Sequence, residues 1–347
     1  MPSTVPLSLW QRLSSLAERL WEMKPWSWMR EWQIFAVRDP EDPERLGFVS
    51  VMGSGDAFPA VSVYLGREAL FDFRQIILHP QDLPLEEVGR KMMLVPQLML
   101  SYVQREEVPP QDLEVLKAVG WPLHREVWPV FRSHRPAHYP WFLEEDEARF
   151  LAVALEQTLA VAPLVRAGEV DLRPESHPTY YLRRRTEHEG EPRWEGRWEK
   201  VEPPPLRRVR FSLPESLIAK ATALPQGEDL MEVQMDLALE VGPLQDQPDQ
   251  RPYFPYLFLA VQPGERPQVL NAKLVRPAEP GALAESFARL LLETLQQWGR
   301  RPREVRMAPR AHYVQVAQWL SVPLAFRVRV EPLTALPERW ASIVKKP

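Results

Sequence analysis

The chain has 347 residues, of which 45% are hydrophobic and 26% are charged, and its formal net charge is −4. These values are typical of a soluble globular protein with two domains, and they exclude an overall electrostatic attraction to nucleic acid or anionic membranes. The absence of cysteine excludes disulfides, zinc–thiolate and iron–sulfur sites and thiol nucleophiles.

The start of the sequence gives no targeting signal. Residues 1–10 lack a cationic region and a small-residue cleavage site, so no secretory signal is predicted. No uninterrupted apolar run reaches the roughly 18–20 residues that a membrane helix needs. We therefore expect a cytoplasmic protein without a membrane partner. The 38 prolines and the single asparagine, Asn271, favour a heat-adapted (thermophile) source, and a GC-rich genome would also give the proline bias.

A first domain is predicted over residues 1–165. It opens with an amphipathic helix over 7–22, where apolar side chains recur at helical spacing. Gly53-Ser-Gly55 leads into a strand, so we interpret it as a hairpin turn and not as a phosphate-binding loop. Residues 79–95 are predicted to be irregular. The strands are predicted at 33–38, 46–52, 57–64, 97–102 and 128–132, and the further helices at 66–78, 110–119 and 144–161.

The stretch 166–228 has a different character. It is predicted to be a Pro- and Arg-rich linker with a small β-hairpin, whose arms cover 180–185 and 193–201. A strand at 208–213 follows. The pattern strengthens again in a second domain over 229–347. Its strands are predicted at 230–241, 256–261, 269–275, 304–307 and 325–330, and its helices at 280–298, 312–320 and 337–344.

Both domains share the element order β-β-β-α-β-α-β-α, which supports an internal duplication as a hypothesis. We therefore predict an α/β (α+β) fold of two domains with mixed sheets. Ribonuclease H-like folds use this order, as an antiparallel meander followed by alternating helices and parallel strands. Their catalytic members hold metal ions with carboxylates on the first and fourth strands. Asp236 lies on the first strand, but the fourth offers Met307-Ala-Pro309, so we expect no metal and no catalytic residue.

The segment 128–142 is the most unusual passage, with five aromatic residues, two arginines, two histidines and three prolines. Several of its aromatic residues are explained as core, but its polar residues are not. Arginines supply bidentate contacts to anions and aromatic rings supply flat apolar area. Pro136 prevents a helical two-histidine metal site. The predicted ligand-binding residues are Arg132, His134, Arg135, His138, Tyr139 and Trp141.

The hairpin interleaves arginines with tryptophans, a pattern compatible with phosphate contact and base stacking. Acids at 187, 189, 191, 195 and 199 counter it and favour an exposed hairpin with weak ion pairs. The predicted nucleic-acid-binding residues are Arg183, Arg184, Arg185, Trp194, Arg197 and Trp198.

Four motifs carry a family resemblance: Leu20-Trp-Glu-Met-Lys-Pro-Trp26, Gly47-Phe-Val-Ser-Val-Met-Gly53, Val63-Tyr-Leu-Gly66 and Phe131-Arg-Ser-His-Arg-Pro-Ala-His-Tyr-Pro-Trp141. They resemble bacterial proteins that pair two domains of unknown function. The part from Arg251 to the end is similar to the second of these domains. The resemblance implies no activity. Many relatives have a cysteine near the second motif where this chain has Ser50, which argues against a thiol role here.

Functions from different classes fit these patterns. The first is a non-catalytic binding or regulatory protein without a cofactor, which recognises a protein or an acidic ligand. The alternative is a nucleic-acid-associated protein with degenerate ribonuclease H-like domains. The third is a metal-dependent hydrolase or nuclease, which would require clustered acids.

Overall fold

The computed structural model describes residues 5–54, 58–78, 84–122, 125–172, 179–205, 210–309 and 312–344. The chain divides into two compact units. The first contains residues 1–136 and 140–205, and the second contains residues 137–139 and 206–347. The predicted strand at 208–213 lies partly outside the described residues, and over 210–213 it is wrong because these residues form no strand.

The described strands of the first unit form one seven-stranded sheet in the order β5-β4-β3-β2-β1-β6-β7. Neighbouring strands are antiparallel except β1 and β6, which pair in parallel through Ala36 and Leu182. The strands are β1 (Phe35–Arg38), β2 (Leu46–Met52), β3 (Ala60–Leu65), β4 (Gln97–Gln104), β5 (Val127–His134), β6 (Thr179–His188) and β7 (Glu191–Lys200).

Helices cover this sheet. The long helices α1 (Leu7–Met23) and α5 (Glu145–Ala167) pack on one face, where their apolar sides meet the valines of β2 and β3. The second face carries a smaller core with α2 (Gly66–Leu78) and α3 (Leu85–Met92), and another apolar cluster surrounds α4 (Pro110–Ala118). One layer of side chains therefore lies on each side of the sheet.

Of the described helices, α5 alone has the length and composition to cross a membrane, and 61% of its most apolar window is buried inside the structure. It begins at a capping box in which Glu144 and Glu147 satisfy each other's backbone N–H groups, and it ends at Gly168 with φ 74°. Its buried residues contact α1 and the sheet. Packing in the core therefore accounts for its apolar composition.

The predicted hairpin around residues 189–191 is confirmed, but it is not a separate small β element. Its first arm, β6, pairs with β1 and so extends the first sheet by two strands. Tyr180 and Leu182 of this arm are buried in the same apolar cluster as Phe48 and Tyr64. Burial of these side chains joins the hairpin to the first unit.

The described strands of the second unit form a five-stranded sheet in the order β10-β9-β8-β11-β12. Strands β8 to β10 are an antiparallel meander, and β11 is parallel to both β8 and β12. The strands are β8 (Leu230–Leu237), β9 (Tyr256–Gln262), β10 (Gln268–Val275), β11 (Glu304–Met307) and β12 (Arg327–Val330), and the helices are α6 (Glu215–Thr222), α7 (Pro280–Trp298), α8 (Val314–Leu324) and α9 (Leu336–Val344).

The mixed α/β, two-domain fold class is confirmed, but the two sheets are built differently. In the second unit β11 lies parallel beside β8 and β12 lies parallel beside β11, as the element order predicts. In the first unit β4 and β5 instead extend the meander beyond β3, because each returns antiparallel to its predecessor. The hypothesis of an internal duplication is therefore dropped. A ribonuclease H-like arrangement stays a prediction for the second unit.

A buried carboxylate on β8 holds the N-terminus of α9. Glu232 is fully buried, and its two oxygens accept hydrogen bonds from the backbone N–H groups of Thr334 at 2.9 Å and Leu336 at 2.7 Å. Burial raises the pKa of Glu232, but these hydrogen bonds outweigh burial and lower the pKa below its ordinary value. The carboxylate thus acts as an N-terminal cap supplied from another element.

We expect Glu232→Gln to lower the free energy of unfolding by about 2 kcal/mol near pH 7, because hydrogen bonds to a charged acceptor are lost. The pKa is lowered in the folded state, so this stabilisation is present above the ordinary carboxyl pKa and is lost as pH falls through the folded-state value. Urea unfolding near pH 7 and near pH 3 should show the difference shrinking at the lower pH. Glu338→Gln, an exposed change on the same helix, is the control, and an equal loss there would contradict this role.

Candidate functional site

The segment 128–142 does not form one continuous surface. Trp128 and Phe131 are buried in β5, as core. Residues up to 136 and from 140 onward belong to the first unit, whereas His138 and Tyr139 belong to the second. The predicted ligand-binding residues are thus divided between the two units.

Arg132 is held by a carboxylate. Its Nη1 and Nη2 atoms donate to Oδ1 and Oδ2 of Asp112 on α4, at 2.9 and 2.6 Å. Both side chains are largely buried, at 14% and 8% exposure, and the guanidinium lies 5.0 Å from the centroid of the Phe142 ring. The bidentate pair compensates the positive charge of Arg132.

Arg135 is also paired with acids. It contacts Glu144, and its Nη2 lies 3.1 Å from Oε1 of Glu147, which also accepts a hydrogen bond from Ser133 at 2.8 Å. Burial lowers the pKa of Arg135, but the two carboxylates outweigh it and raise that pKa above its ordinary value. Because these acids form the capping box of α5, Arg135 helps to fix the start of this helix. The anion-binding role stays a prediction for both arginines, and their geometry does not favour it.

In the second unit, His138 and Tyr139 lie alongside the residues that immediately precede β9. His138 forms an isolated antiparallel bridge with Tyr253, and the Tyr139 N–H donates to the Pro252 carbonyl at 2.9 Å. Tyr139 is exposed, with its ring 6.3 Å from that of Phe254. Backbone pairing therefore places this part of the segment.

The register of β2 to β5 gathers polar residues on one face of the first sheet. Antiparallel partners directly opposite each other share a face. One row runs from Phe48 through Tyr64 and Gln97 to His134, and the next from Ser50 through Ser62 and Met99 to Arg132. We call this set the polar face; its members are Ser50, Ser62, Tyr64, Gln97, Met99, Ser101, Arg132 and His134.

The polar face follows from side-chain alternation. The intervening residues, such as Val49, Val63 and Leu98, are buried under α1 and α5 on the opposite side of the sheet. Successive side chains of a strand point to opposite faces, so the residues between these apolar ones must point away from that core. The structure thus joins Arg132 and His134, two of the residues predicted from sequence, to polar residues of three other strands.

Three buried polar atoms of the polar face have no hydrogen-bond partner among the described residues: Ser62 Oγ, the Tyr64 hydroxyl and Gln97 Oε1. Their residues are 0%, 0% and 3% exposed. Leaving such an atom unpaired costs about 1–3 kcal/mol, and most buried polar atoms in proteins are paired. Register places all three side by side, so the cost is concentrated in one place.

Burial raises the pKa of the Tyr64 phenol well above its ordinary value, which already keeps the phenol protonated at neutral pH. The nearby Ser62 hydroxyl lowers the pKa of Tyr64 but does not outweigh burial, and neither oxygen completes a hydrogen bond of ordinary geometry. The Glu31 carboxylate raises the pKa of Tyr64 further. Tyr64 therefore has a hydroxyl proton to donate at neutral pH.

Glu31 is fixed beside the polar face by hydrogen bonds. Its Oε1 accepts from the Ser54 hydroxyl at 2.9 Å and from the Gly53 N–H at 3.4 Å, and its carbonyl accepts from the Ser50 hydroxyl at 2.7 Å. Burial raises the pKa of Glu31, but these donors outweigh it and lower the pKa. The turn at Gly53 thus donates hydrogen bonds to the Glu31 carboxylate in place of water.

The arginines and tryptophans of the hairpin are divided between the two faces of the sheet. The register places Arg183, Arg185, Trp194 and Trp198 on one face and Arg184 and Arg197 on the other. On the first face, Arg183 Nε donates to Gln157 of α5 at 2.9 Å. Trp198 is 48% exposed and meets Tyr181 edge-to-face, 5.6 Å between centroids. The predicted nucleic-acid-binding set is therefore not one surface.

Within the described residues, no group of three or more His, Asp or Glu side chains is placed to hold a metal ion. The acids on the strands of the second unit are each engaged separately. Glu232 caps α9, and Glu304 contacts Arg306 and Arg329 at 2.8 Å. Asp236 Oδ1 accepts from the N–H of Leu237 at 2.8 Å.

Sequence reasoning missed Ser50, Ser62, Tyr64 and Gln97 as site candidates. A signal existed, because Ser62 and Tyr64 alternate with valines, and Gln97, Met99 and Ser101 alternate with leucine and tyrosine. Alternation predicts that each strand has a polar side. It does not predict which strands pair, so it could not place these sides next to one another.

Comparison with known proteins gives two domain matches. The family model described as Domain of unknown function (DUF7309) matches residues 10–184, and the one described as Domain of unknown function (DUF6930) matches residues 217–326. These matches confirm the predicted pairing of two domains of unknown function. No curated protein and no solved structure matches the chain significantly.

We expect Ser62→Ala to leave the free energy of unfolding unchanged or to raise it, because the Ser62 hydroxyl is buried without a partner. Ser50→Ala is the matched variant on the neighbouring strand. It should lower the free energy of unfolding by about 1 kcal/mol, since a hydrogen bond to Glu31 is lost. Urea unfolding measures both values. A loss in Ser62→Ala as large as that in Ser50→Ala would show that the Ser62 hydroxyl is paired.

We expect Asp112→Asn to lower the free energy of unfolding by about 3 kcal/mol, because it leaves the Arg132 charge buried without its partner. The double variant Asp112→Leu/Arg132→Met should recover most of this loss. Asp42→Asn, at an exposed ion pair, is the control and should cost less than about 1 kcal/mol. Chemical denaturation tests all three, and a neutral Asp112→Asn would refute a structural role for the pair.

Proposed function

The chain belongs to the family of the DUF7309 domain, a domain of unknown function, and we propose that it is a non-catalytic binding protein whose first unit binds a small polar ligand on the polar face. The family match covers residues 10–184, which include every residue of the polar face. The proposal keeps the binding function predicted from sequence. It moves the site from the segment 128–142 to the sheet face that this segment borders.

The observation that carries the proposal is the cluster of unpartnered atoms at Ser62, Tyr64 and Gln97. A folded protein gains nothing in stability from three such atoms side by side, since each costs free energy. Functional sites are where proteins keep groups that lower stability. A bound ligand with matching hydrogen-bonding groups would offset the cost.

Charge compensation supports an uncharged ligand. The guanidinium of Arg132 is neutralised by Asp112, and the carboxylate of Glu31 accepts hydrogen bonds from the turn at Gly53 and Ser54. The three unpartnered groups are two hydroxyls and an amide oxygen, which offer hydrogen bonds without net charge. A ligand rich in hydroxyl or amide groups meets this set best. The acidic ligand predicted from sequence fits the polar face less well.

The same groups support binding rather than chemistry. Tyr64 is protonated at neutral pH, as an ordinary phenol is, and burial raises its pKa further. A neutral phenol, a serine hydroxyl and an amide bind and orient a ligand but do not attack it without a positioned base. Met99 and His134 are half-buried in the same two rows, and β5 is an edge strand of the sheet, so the proposed direction of ligand entry is from this side.

For the second unit, the strand order supports a ribonuclease H-like scaffold. Its meander β8 to β10 is followed by parallel strands on the other side of β8. Its buried acids serve stability, since Glu232 caps a helix and Glu304 pairs with arginines. We propose that this scaffold also serves binding and not metal-dependent hydrolysis.

The binding proposal is tested by thermal unfolding with a panel of uncharged sugars, polyols, nucleosides and primary amides. We expect at least one probe to raise the Tm of the wild type, because a ligand that binds only the folded state stabilises it. The shift should vanish in Gln97→Met, which removes the unpartnered acceptor and keeps the side-chain length. Gln268→Met, an exposed change on β10, is the control and should keep the shift. No shift across the panel, or a shift retained in Gln97→Met, rejects the proposal.

A further inference from the structure

A second feature of the first unit is independent of the polar face. An open cleft of about 830 Å³ lies between the turn that joins β1 to β2 and the tip of the β6–β7 hairpin. This volume lies in the range of pockets that bind small molecules. Its charged lining residues are Arg38, Asp39, Arg184, Arg185, Glu187 and Arg197.

Strand register explains why the arginines meet. Ala36 pairs with Leu182, and Leu182 pairs with Arg197. Arg38 and Arg184 each lie two residues beyond the first pair, so Arg38, Arg184 and Arg197 occupy one face of three adjacent strands. Ala36 and Leu182 on this face are buried in the core with α2. Arg38 and Arg184 therefore lie just beyond the edge of that core.

The acids near the cleft do not satisfy all of these arginines. Asp39 lies 3.4 Å from Arg45, and it also accepts a hydrogen bond from the N–H of Glu41. Arg184 lies 3.6 Å from Glu195, too far for a good hydrogen bond, and its buried Nε has no hydrogen-bond partner. Arg197 contacts Glu199 of its own strand. Neither Arg38 nor Arg185 has a carboxylate partner among the described residues, so these two arginines supply the uncompensated positive charge of the lining.

We propose that this cleft binds the oligophosphate group of a small anionic ligand, such as the phosphate chain of a nucleoside diphosphate or triphosphate. Guanidinium groups bind phosphate oxygens through two parallel hydrogen bonds. Neighbouring strands are about 4.8 Å apart, so arginines on β1 and β7 span roughly 10 Å across the intervening β6. Two or three linked phosphates reach across this distance, and one orthophosphate does not.

The cleft also favours a small ligand over a nucleic-acid strand. Base stacking needs aromatic rings beside the phosphate contacts. The hairpin tryptophans Trp194 and Trp198 lie on the opposite face from Arg184 and Arg197, and although Arg185 shares their face, neither tryptophan lines the cleft. Pro40, Pro43 and Pro192 line the cleft instead and give it a rigid apolar wall.

The test is isothermal titration of the full chain with inorganic tripolyphosphate, with orthophosphate and an oligothymidylate as comparison probes, at low and at physiological salt. We expect tripolyphosphate to bind at least about tenfold more tightly than orthophosphate. Arg38→Gln and Arg184→Gln should each weaken tripolyphosphate binding about tenfold or more. Arg266→Gln, which removes one exposed arginine from a turn of the second unit, is the charge-matched control and should bind as the wild type does.

A variant that binds more tightly is also needed, because misfolding could explain a loss of affinity but not a gain. Glu187→Gln removes a negative charge from the cleft lining, so it should tighten tripolyphosphate binding several-fold. The proposal is overturned if tripolyphosphate does not bind at low salt, or if Arg184→Gln and Arg266→Gln weaken it equally. It is also overturned if the oligothymidylate binds through Arg184 and tripolyphosphate does not displace it, which would mark a nucleic-acid site.

Discussion

Side-chain alternation along β2 to β5 is the constraint on which the first unit depends. Val49, Val63 and Leu98 are buried against α1 and α5, and this burial fixes the register of their strands. A slip of one residue would move Ser62 and Gln97 into the apolar core under α1 and α5 and would move the valines out of that core to the opposite face. The polar face and the core are therefore two sides of one register. A sequence that keeps this core keeps its polar residues in rows.

Local patterns predicted the positions of most elements, because helix periodicity and end signals act over a few residues. The helix predicted at 280–298 is α7 itself, whereas the helix predicted at 144–161 is α5, which extends to Ala167. The helix continues through Pro163. A proline removes one backbone hydrogen bond of a helix, but burial of this helix outweighs that loss. Strand pairing was beyond prediction. The same element order gives two different sheets, because the order of elements along the chain does not determine beside which strand the next strand pairs.

The candidate sites, too, could be predicted from the sequence only in part. Arg132 and His134 could be recognised from sequence as polar residues within an apolar strand. The partner of Arg132 could not, since Asp112 lies on a helix twenty residues earlier and only the fold brings the two together. Ser62 and Gln97 are ordinary polar residues in their own strands. Their importance comes from being neighbours without partners, which is a property of the folded sheet.

The arginine cleft has its origin in a mismatch of strand lengths. β1 has four residues, whereas β6 and β7 have ten each. β1 pairs with β6 only as far as Val37 and Arg183, so the hairpin continues beyond the end of its neighbour. Pro40 and Pro43 cannot donate to a ladder, and they direct the chain away from β6 toward β2. The space left beside the hairpin is the cleft. The arginines line it because the last residues of a strand that leaves the core are free to be charged.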